Sequence, residues 1–232
     1  MLTSCVSPHQ GVLWARTKDY KCGPEYDPTV RPWFVSGSNG PKNVIFILDS
    51  SGSMQSPLHA PRMDMLKKAT NKLIEGLTMS DFVSIVDFDD SARTYLNLNY
   101  MARAKSSFRA EMKKFVDKME AGGSTSYDKA FELAFKVADN SYAQNYDSGC
   151  QTVYVFLTDG ASPEDPTSRI KARQQQQPKR KEMYVIIGLG SEVSPTSGPG
   201  IKLKQLACTI GGVFESVSDL PQGATPERRA AT

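Results

Sequence analysis

Short, continuous apolar runs mark the buried strands of this chain. Three of them cover residues 44–48, 153–157 and 183–187. A run of this kind is expected of a central parallel strand that is covered on both faces. Residues 81–88 and 92–96 predict two further strands, joined by a polar turn and therefore antiparallel at the edge of the sheet. A last short strand is predicted to begin at residue 213.

Between these runs, apolar residues recur at helical spacing. Stripes of this kind cover residues 63–77, 108–119 and 127–137. Residues 201–210 predict a final helix, which Gly211 and Gly212 end. Because strands alternate with helices, the predicted fold class is α/β, with a doubly wound, mostly parallel sheet, right-handed crossovers and one antiparallel edge strand.

Composition and charge are those of an ordinary globular protein. The chain has 232 residues, of which 39% are hydrophobic and 23% charged, enough for one large α/β domain with a short extension. A formal net charge of +3 is too mild to indicate a nucleic-acid partner. The basic, Gln-rich segment 169–181, which includes Arg173, is interpreted as a solvated helix face with a polar loop. No apolar stretch is long enough to span a bilayer, so we expect no direct membrane insertion by this chain.

Oxygen-bearing side chains follow two of the apolar runs. Asp49, Ser51 and Ser53 come directly after the first run, and Asp159 follows residues 153–157. Thr125 lies in a Gly-Gly-Ser-Thr-Ser loop between them. Each piece by itself could be an ordinary turn or a helix cap. Together they predict a site for a hard cation, because ligands bind at the carboxyl ends of the strands in such sheets.

This combination of motifs resembles the von Willebrand factor type A domain. The resemblance implies a Rossmann-like sheet and a metal-ion-dependent adhesion site, whose metal ligands would be Asp49, Ser51, Ser53, Thr125 and Asp159. It implies Mg²⁺ as the cofactor, with Mn²⁺ or Ca²⁺ as alternatives. It also implies an open coordination position that accepts an acidic residue of a protein partner.

The segment before the first strand carries a second resemblance. Residues 26–34, with the sequence YDPTVRPWF, are similar to the closing motif of Cache domains, which are extracytoplasmic sensor modules. A Cache-type segment followed by a type A domain resembles the alpha-2/delta subunits of voltage-gated calcium channels. The implied division is a Cache-like segment at 1–40, a type A domain at 41–220 and a tail at 221–232, predicted to be disordered.

The same resemblance bears on location, partner and cysteines. It implies an extracellular or cell-surface location within a longer chain, and a partner such as a channel or another membrane-protein ectodomain. Residues 1–5 lack the features of a secretory signal, so a cytoplasmic location is the alternative. The four cysteines allow three complete pairings by sequence alone. The placement of Cys150 and Cys208 resembles that in alpha-2/delta proteins and implies a disulfide between them, with Cys5 and Cys22 as the second pair.

Three classes of function are compatible with these features. The favoured one is a divalent-cation-dependent protein-interaction module of adhesion type, which is not an enzyme. An intracellular scaffolding or assembly protein built on a type A domain is the second. A metal-assisted hydrolase is the third, with Glu164 or Asp165 as the general base. Helix capping explains these two acidic residues better, and His59 forms no triad with Ser51 or Ser53.

Overall fold

The computed structural model describes residues 40–55, 62–160, 162, 164–190, 193–194 and 196–217. The Cache-like motif and the C-terminal tail lie outside the described residues, and both stay predictions. The same holds for Cys5, Cys22 and His59.

Seven strands of the described residues form one twisted sheet. They are β1 (Lys42–Asp49), β2 (Phe82–Phe88), β3 (Ala92–Thr94), β4 (Ala102–Arg103), β5 (Gln151–Thr158), β6 (Glu182–Leu189) and β7 (Val213–Val217). Their order is β3-β2-β1-β5-β6-β7, and β4 also pairs with β2. All pairs from β2 to β7 are parallel, whereas β3 and β4 run antiparallel to β2. The predicted fold class is confirmed.

The antiparallel edge differs from the prediction in two details. β3 ends at Thr94 rather than at residue 96, because Leu96 and Asn97 adopt left-handed backbone conformations with φ of 52° and 54°. The edge also holds a second short strand, β4, which pairs with the beginning of β2. Two residues are too few to show a period-2 pattern, so the sequence carried no signal for β4.

In the part of the chain that the structure describes, five α-helices cover the two faces of the sheet. They are α1 (Arg62–Glu75), α2 (Ser106–Asp117), α3 (Tyr127–Ala143), α4 (Thr167–Gln176) and α5 (Gly198–Ile210). Val44, Phe46 and Leu48 of β1 pack with α1 and α2, and Ile45 and Ile47 pack with the other three helices. This double coverage is why β1 is apolar at successive positions. Among the described residues, no helix is both long and apolar enough to cross a membrane.

The strand order places a crevice between β1 and β5. From β1 the chain passes to β2 on one side, and it later returns to β5 on the other side. The order of a doubly wound sheet reverses at such a point, and ligands bind there, outside the carboxyl ends of the strands. Asp49 is the last residue of β1, and Asp159 directly follows β5.

The segment 169–181 is not uniformly solvated. Most side chains of α4 are exposed, but Arg173 is buried. Its guanidinium pairs with Asp139 of α3 at 2.8 Å and with Glu182 of β6 at 3.0 Å, and it lies over the ring of Phe135. The interpretation of this segment as a solvated face is therefore wrong for Arg173, because its guanidinium forms ion pairs with acidic residues on other elements.

The disulfide expected between Cys150 and Cys208 is not present. Cys208 is a free, exposed cysteine, whereas Cys150 is disulfide-bonded. The inward positions of α5 include Ala207 and Ile210. Successive residues of a helix point about 100° apart, so Cys208 faces away from the sheet. The partner of Cys150 lies outside the described residues.

Candidate metal centre

Asp49 is the buried carboxylate at the centre of the site. Its Oδ1 accepts hydrogen bonds from the backbone nitrogen and the hydroxyl of Ser51, at 2.9 and 2.5 Å. Its Oδ2 accepts a bond of 2.6 Å from the hydroxyl of Thr158, the last residue of β5. These contacts fix the carboxylate across the crevice between β1 and β5.

The environment of Asp49 disfavours its negative charge. Burial raises its pKa to about 6, and the hydrogen bonds from Ser51 and Thr158 offset only part of that effect. The nearby negative charge of Asp159 raises the pKa further. A buried carboxylate of this kind is best stabilised by a cation brought close to it.

The turn after β1 gathers two hydroxyl groups beside this carboxylate. The hydroxyls of Ser51 and Ser53 lie 3.1 Å apart, and the Ser51 hydroxyl also contacts Asp49. A 3₁₀ turn over Gly52–Gln55 produces this arrangement, and the fully buried Met54 anchors the turn in the core. Three oxygen-bearing side chains within a stretch of five residues therefore lie close together.

Asp159 brings the second carboxylate to the same edge. Its side chain is buried and forms a 2.9 Å ion pair with Arg62, the first residue of α1. The same Arg62 nitrogen donates to the backbone oxygen of Ser53 at 3.1 Å. A single guanidinium nitrogen thus joins the turn after β1 to the end of β5.

The loop that carries Thr125 is tied to the turn after β1. The backbone nitrogen of Gly52 donates to the oxygen of Gly123 at 3.1 Å, and the nitrogen of Gly122 donates to the oxygen of Ser50 at 2.8 Å. Thr125 is half-buried, and its hydroxyl makes no hydrogen bond within the described part of the chain. These backbone bonds therefore hold the loop of Thr125 against the turn that carries Ser51 and Ser53.

A third buried carboxylate, that of Asp87, supports the site from β2. The hydroxyl of Ser50 donates to Asp87 at 2.5 Å, and Arg93 of β3 pairs with the same carboxylate at 2.7 Å. Burial raises the pKa of Asp87, while Ser50 and Arg93 act in the opposite direction. These contacts join the ends of β1, β2 and β3.

Comparison with protein families identifies the domain. A family model described as von Willebrand factor type A domain matches residues 44–161, about half of the chain. This chain belongs to the von Willebrand factor type A domain family. The matched range contains the turn after β1, the loop of Thr125 and Asp159.

The relatives of this type A domain include subunits of calcium channels. The mouse voltage-dependent calcium channel subunit alpha-2/delta-2 is 25% identical over 198 residues, which cover 84% of this chain and 16% of that protein. The rat subunit alpha-2/delta-3 is 26% identical over 198 residues, with 84% and 17% covered. The chain thus spans about a sixth of the length of these curated relatives.

Solved structures share the fold. A von Willebrand factor type A protein from Catenulispora acidiphila aligns with a TM-score of 0.58 at 25% identity and covers 78% of this chain and 39% of that one. Proximal thread matrix protein 1 from the mussel byssus, in a form with a zinc-occupied MIDAS motif, aligns with a TM-score of 0.54 at 19% identity and covers 76% and 41%. At this identity the second match shows the fold alone.

The donor set of this type A domain fits a hard divalent cation. Carboxylates and hydroxyls are the oxygen ligands that Mg²⁺ and Mn²⁺ accept, and Mg²⁺ keeps several waters when few carboxylates bind it. Within the described residues, no group of three or more His, Cys, Asp and Glu could hold a metal. A metal at this edge would therefore depend on two carboxylates and on neutral hydroxyls.

Thr158, Tyr127 and Arg62 are among the residues of the site that were not predicted from the sequence. Thr158 bonds Asp49 and also contacts the hydroxyl of Tyr127 at 2.8 Å, and Arg62 pairs with Asp159. Thr158 did carry a signal, because a polar residue ends an otherwise apolar strand. Arg62 carried another, since a cation at a helix N-terminus is disfavoured by the helix dipole and therefore needs a local anion.

The two acidic residues considered as general bases bind backbone groups instead. Glu164 accepts hydrogen bonds from the nitrogen of Asp128 and the hydroxyl of Ser126 at the start of α3. Asp165 accepts from the nitrogen of Thr167 at the start of α4. The capping interpretation agrees with these contacts, although Glu164 caps a helix that precedes it in the chain.

Proposed function

We propose that this type A domain is a divalent-cation-dependent protein-interaction module. The ligands would be Asp49, Ser51, Ser53, Thr125 and Asp159. The observation that carries the proposal is the convergence of oxygen donors at the strand-order reversal, around a buried carboxylate whose pKa is raised to about 6. When bound, Mg²⁺ or Mn²⁺ would offer an electrophilic position to a carboxylate of the partner.

The partner in this proposal supplies an acidic residue. The two aspartates of the site are partly offset by the Arg62 guanidinium, so little negative charge opposes an incoming carboxylate. Loss of a buried, charged contact of this kind typically costs about 2–5 kcal/mol of binding free energy. The roles of Glu164 and Asp165 as helix caps support a binding module over a metal-assisted hydrolase.

We further propose that the domain belongs to an extracellular chain of alpha-2/delta type. The similarity to channel subunits over 84% of the chain supports this assignment. The disulfide of Cys150 supports an oxidising compartment. The partner would accordingly be the ectodomain of a channel or of another membrane protein. A cytosolic scaffolding role is the competing proposal, and it requires reduced cysteines.

Calorimetric titration with Mn²⁺ and Mg²⁺ tests the metal site. We expect one ion per chain for the wild type and most of the affinity lost in Asp49→Ala. Lys181→Gln is the matched control, because Lys181 is exposed and directly precedes β6. It therefore lies at the opposite ends of the strands, about 25 Å from the metal centre for an eight-residue strand. Equal binding by Asp49→Ala and the wild type would remove the metal assignment.

Capture of partners from membrane extracts tests the interaction. We expect binding in Mg²⁺, and loss of binding both in EDTA and with Asp159→Ala. Lys181→Gln should retain the partner, because Lys181 is exposed and distant from the metal centre. Partners retained equally in EDTA would exclude a metal-bridged contact, and recovery of cytosolic complexes alone would favour the scaffolding role.

A further inference from the structure

The Arg62 guanidinium is enclosed by the loops that follow three strands. It contacts the backbone oxygen of Ser53 after β1 and the carboxylate of Asp159 after β5. A Cβ atom on Gly190, directly after β6, would come within 3.1 Å of Nε of Arg62. Gly190 thus leaves the space that the arginine fills. Only 8% of the Arg62 side chain is exposed, and none of the Asp159 side chain is.

The position of Arg62 is unfavourable for a cation in two respects. It is the first residue of α1, where the helix dipole presents positive charge. It also lies at the edge where a divalent cation is proposed to bind, so the two positive charges would repel each other. The ion pair with Asp159 offsets the effect of the helix dipole. Because the Arg62 guanidinium is buried and paired in this way, it indicates a more specific role than a solvated surface arginine would.

We propose that Arg62 is a resident cation of the metal centre, which holds Asp159 in place when no divalent ion is bound and lowers the affinity of the centre for that ion. This inference rests on the proposed function. Without the guanidinium, the buried carboxylates of Asp49 and Asp159 would repel each other with one positive charge fewer beside them. With it, the site carries one net negative charge from Asp49, Asp159 and Arg62. The centre is thereby kept assembled and open to metal exchange.

Replacement of Arg62 by glutamine separates the two roles. For Arg62→Gln in EDTA, we expect the Tm to fall by about 6 °C or more, because the buried carboxylate of Asp159 loses its ion pair with Arg62. We expect its affinity for Mn²⁺ to rise roughly tenfold, because one positive charge leaves the neighbourhood of the ion. Arg62→Lys keeps the charge and should bind Mn²⁺ within about twofold of the wild type on the same electrostatic grounds. The distant Lys181→Gln removes the same charge and should change neither quantity.

Calorimetry with Mn²⁺ and thermal unfolding in EDTA are measured on the same proteins. Wild-type binding together with equal or weaker binding by Arg62→Gln would overturn this inference alone. If the wild type binds no Mn²⁺, the proposed function and this inference both fail. Should Arg62→Gln not fold, Gly190→Ala displaces the guanidinium instead, because its Cβ atom would lie 3.1 Å from Nε of Arg62 and all five proposed ligands stay in place. That variant must bind Mn²⁺ more tightly than the wild type, and equal or weaker binding would refute the inference.

Discussion

At the residue scale, the protonation state of Asp49 links metal binding to pH. Its carboxylate is buried and has a pKa raised to about 6 in the metal-free protein. A divalent cation requires the ionised form, so metal binding and proton binding compete for the same oxygens. The hydrogen bonds from Ser51 and Thr158 keep the group oriented in either state.

The first prediction concerns the pH dependence of Mn²⁺ affinity. Because Asp49 takes up a proton as the pH falls through about 6, the Kd for Mn²⁺ should rise by up to about tenfold per pH unit below that value. Calorimetry at pH 7, 6 and 5, in buffers of different ionisation enthalpy, measures both the affinity and the released proton. A Kd that is unchanged between pH 7 and 5 would contradict the assignment of Asp49 as a ligand.

Protonation of Asp49 weakens metal binding, but it should stabilise the fold when no metal is bound. A folded-state pKa above the usual value of 3.8 means that the folded protein binds this proton more tightly than the unfolded chain. The resulting stabilisation is present below pH 3.8 and is lost as the pH rises through about 6. Asp49→Asn should therefore raise the unfolding free energy at pH 7 when no metal is bound, and raise it much less at pH 4. Urea unfolding in EDTA at the two pH values measures both differences.

At the scale of elements, the loop before α3 depends on one glycine conformation. Gly123 has a φ of 71°, and its oxygen accepts the bond from Gly52. A Cβ atom there would lie 3.3 Å from Cβ of Asp89. The loop therefore holds its shape, and the position of Thr125, only with glycine at this residue.

Gly123→Ala and Gly122→Ala form a matched pair for this loop. A left-handed conformation costs a non-glycine residue about 1–2 kcal/mol, so Gly123→Ala should lose stability and also weaken Mn²⁺ binding by displacing Thr125. Gly122 lies outside the left-handed region, with open space around its Cα, so Gly122→Ala should change neither quantity. Urea unfolding and Mn²⁺ titration measure both. Equal metal affinities for the two variants would argue against a ligand in this loop.

A buried ion pair joins α4 to the sheet, away from the metal centre. Arg173 pairs with Asp139 and Glu182, and Glu182 also accepts hydrogen bonds from Tyr154 and Tyr184. Arg173→Ala should cost about 3–5 kcal/mol of unfolding free energy, because Glu182 stays buried without its cation. The exposed neighbour Lys171 provides the control, since Lys171→Ala should have an effect of at most about 0.5 kcal/mol. If Arg173→Ala lowers the unfolding free energy no more than Lys171→Ala does, solvent must reach Glu182 in the variant.

At the scale of the whole molecule, predictability from sequence depends on how local each feature is. The apolar run of β1 predicts a central strand, because a strand that is covered on both faces is apolar at successive positions. This pattern is contained in a few consecutive residues. Asp49, Ser51 and Ser53 converge within one turn, so their proximity is also a local property. By contrast, Asp159 pairs with Arg62, which is 97 residues away in the chain. Such a contact depends on the order of the strands and on the direction of α1, which no local pattern records.

Cysteine connectivity is the clearest case of a feature that local patterns leave open. Cys150 is joined to a partner outside the described residues, and Cys208 is free on the solvent face of α5. Alkylation of the native protein without reductant should therefore label Cys208 and leave Cys150 unlabelled. Cys208→Ser should preserve the Tm. Cys150→Ser should lower the unfolding free energy by about 2–5 kcal/mol, the usual cost of losing a native disulfide. Non-reducing peptide mapping identifies the partner of Cys150, and a peptide that joined Cys150 to Cys208 would restore the pairing inferred from resemblance.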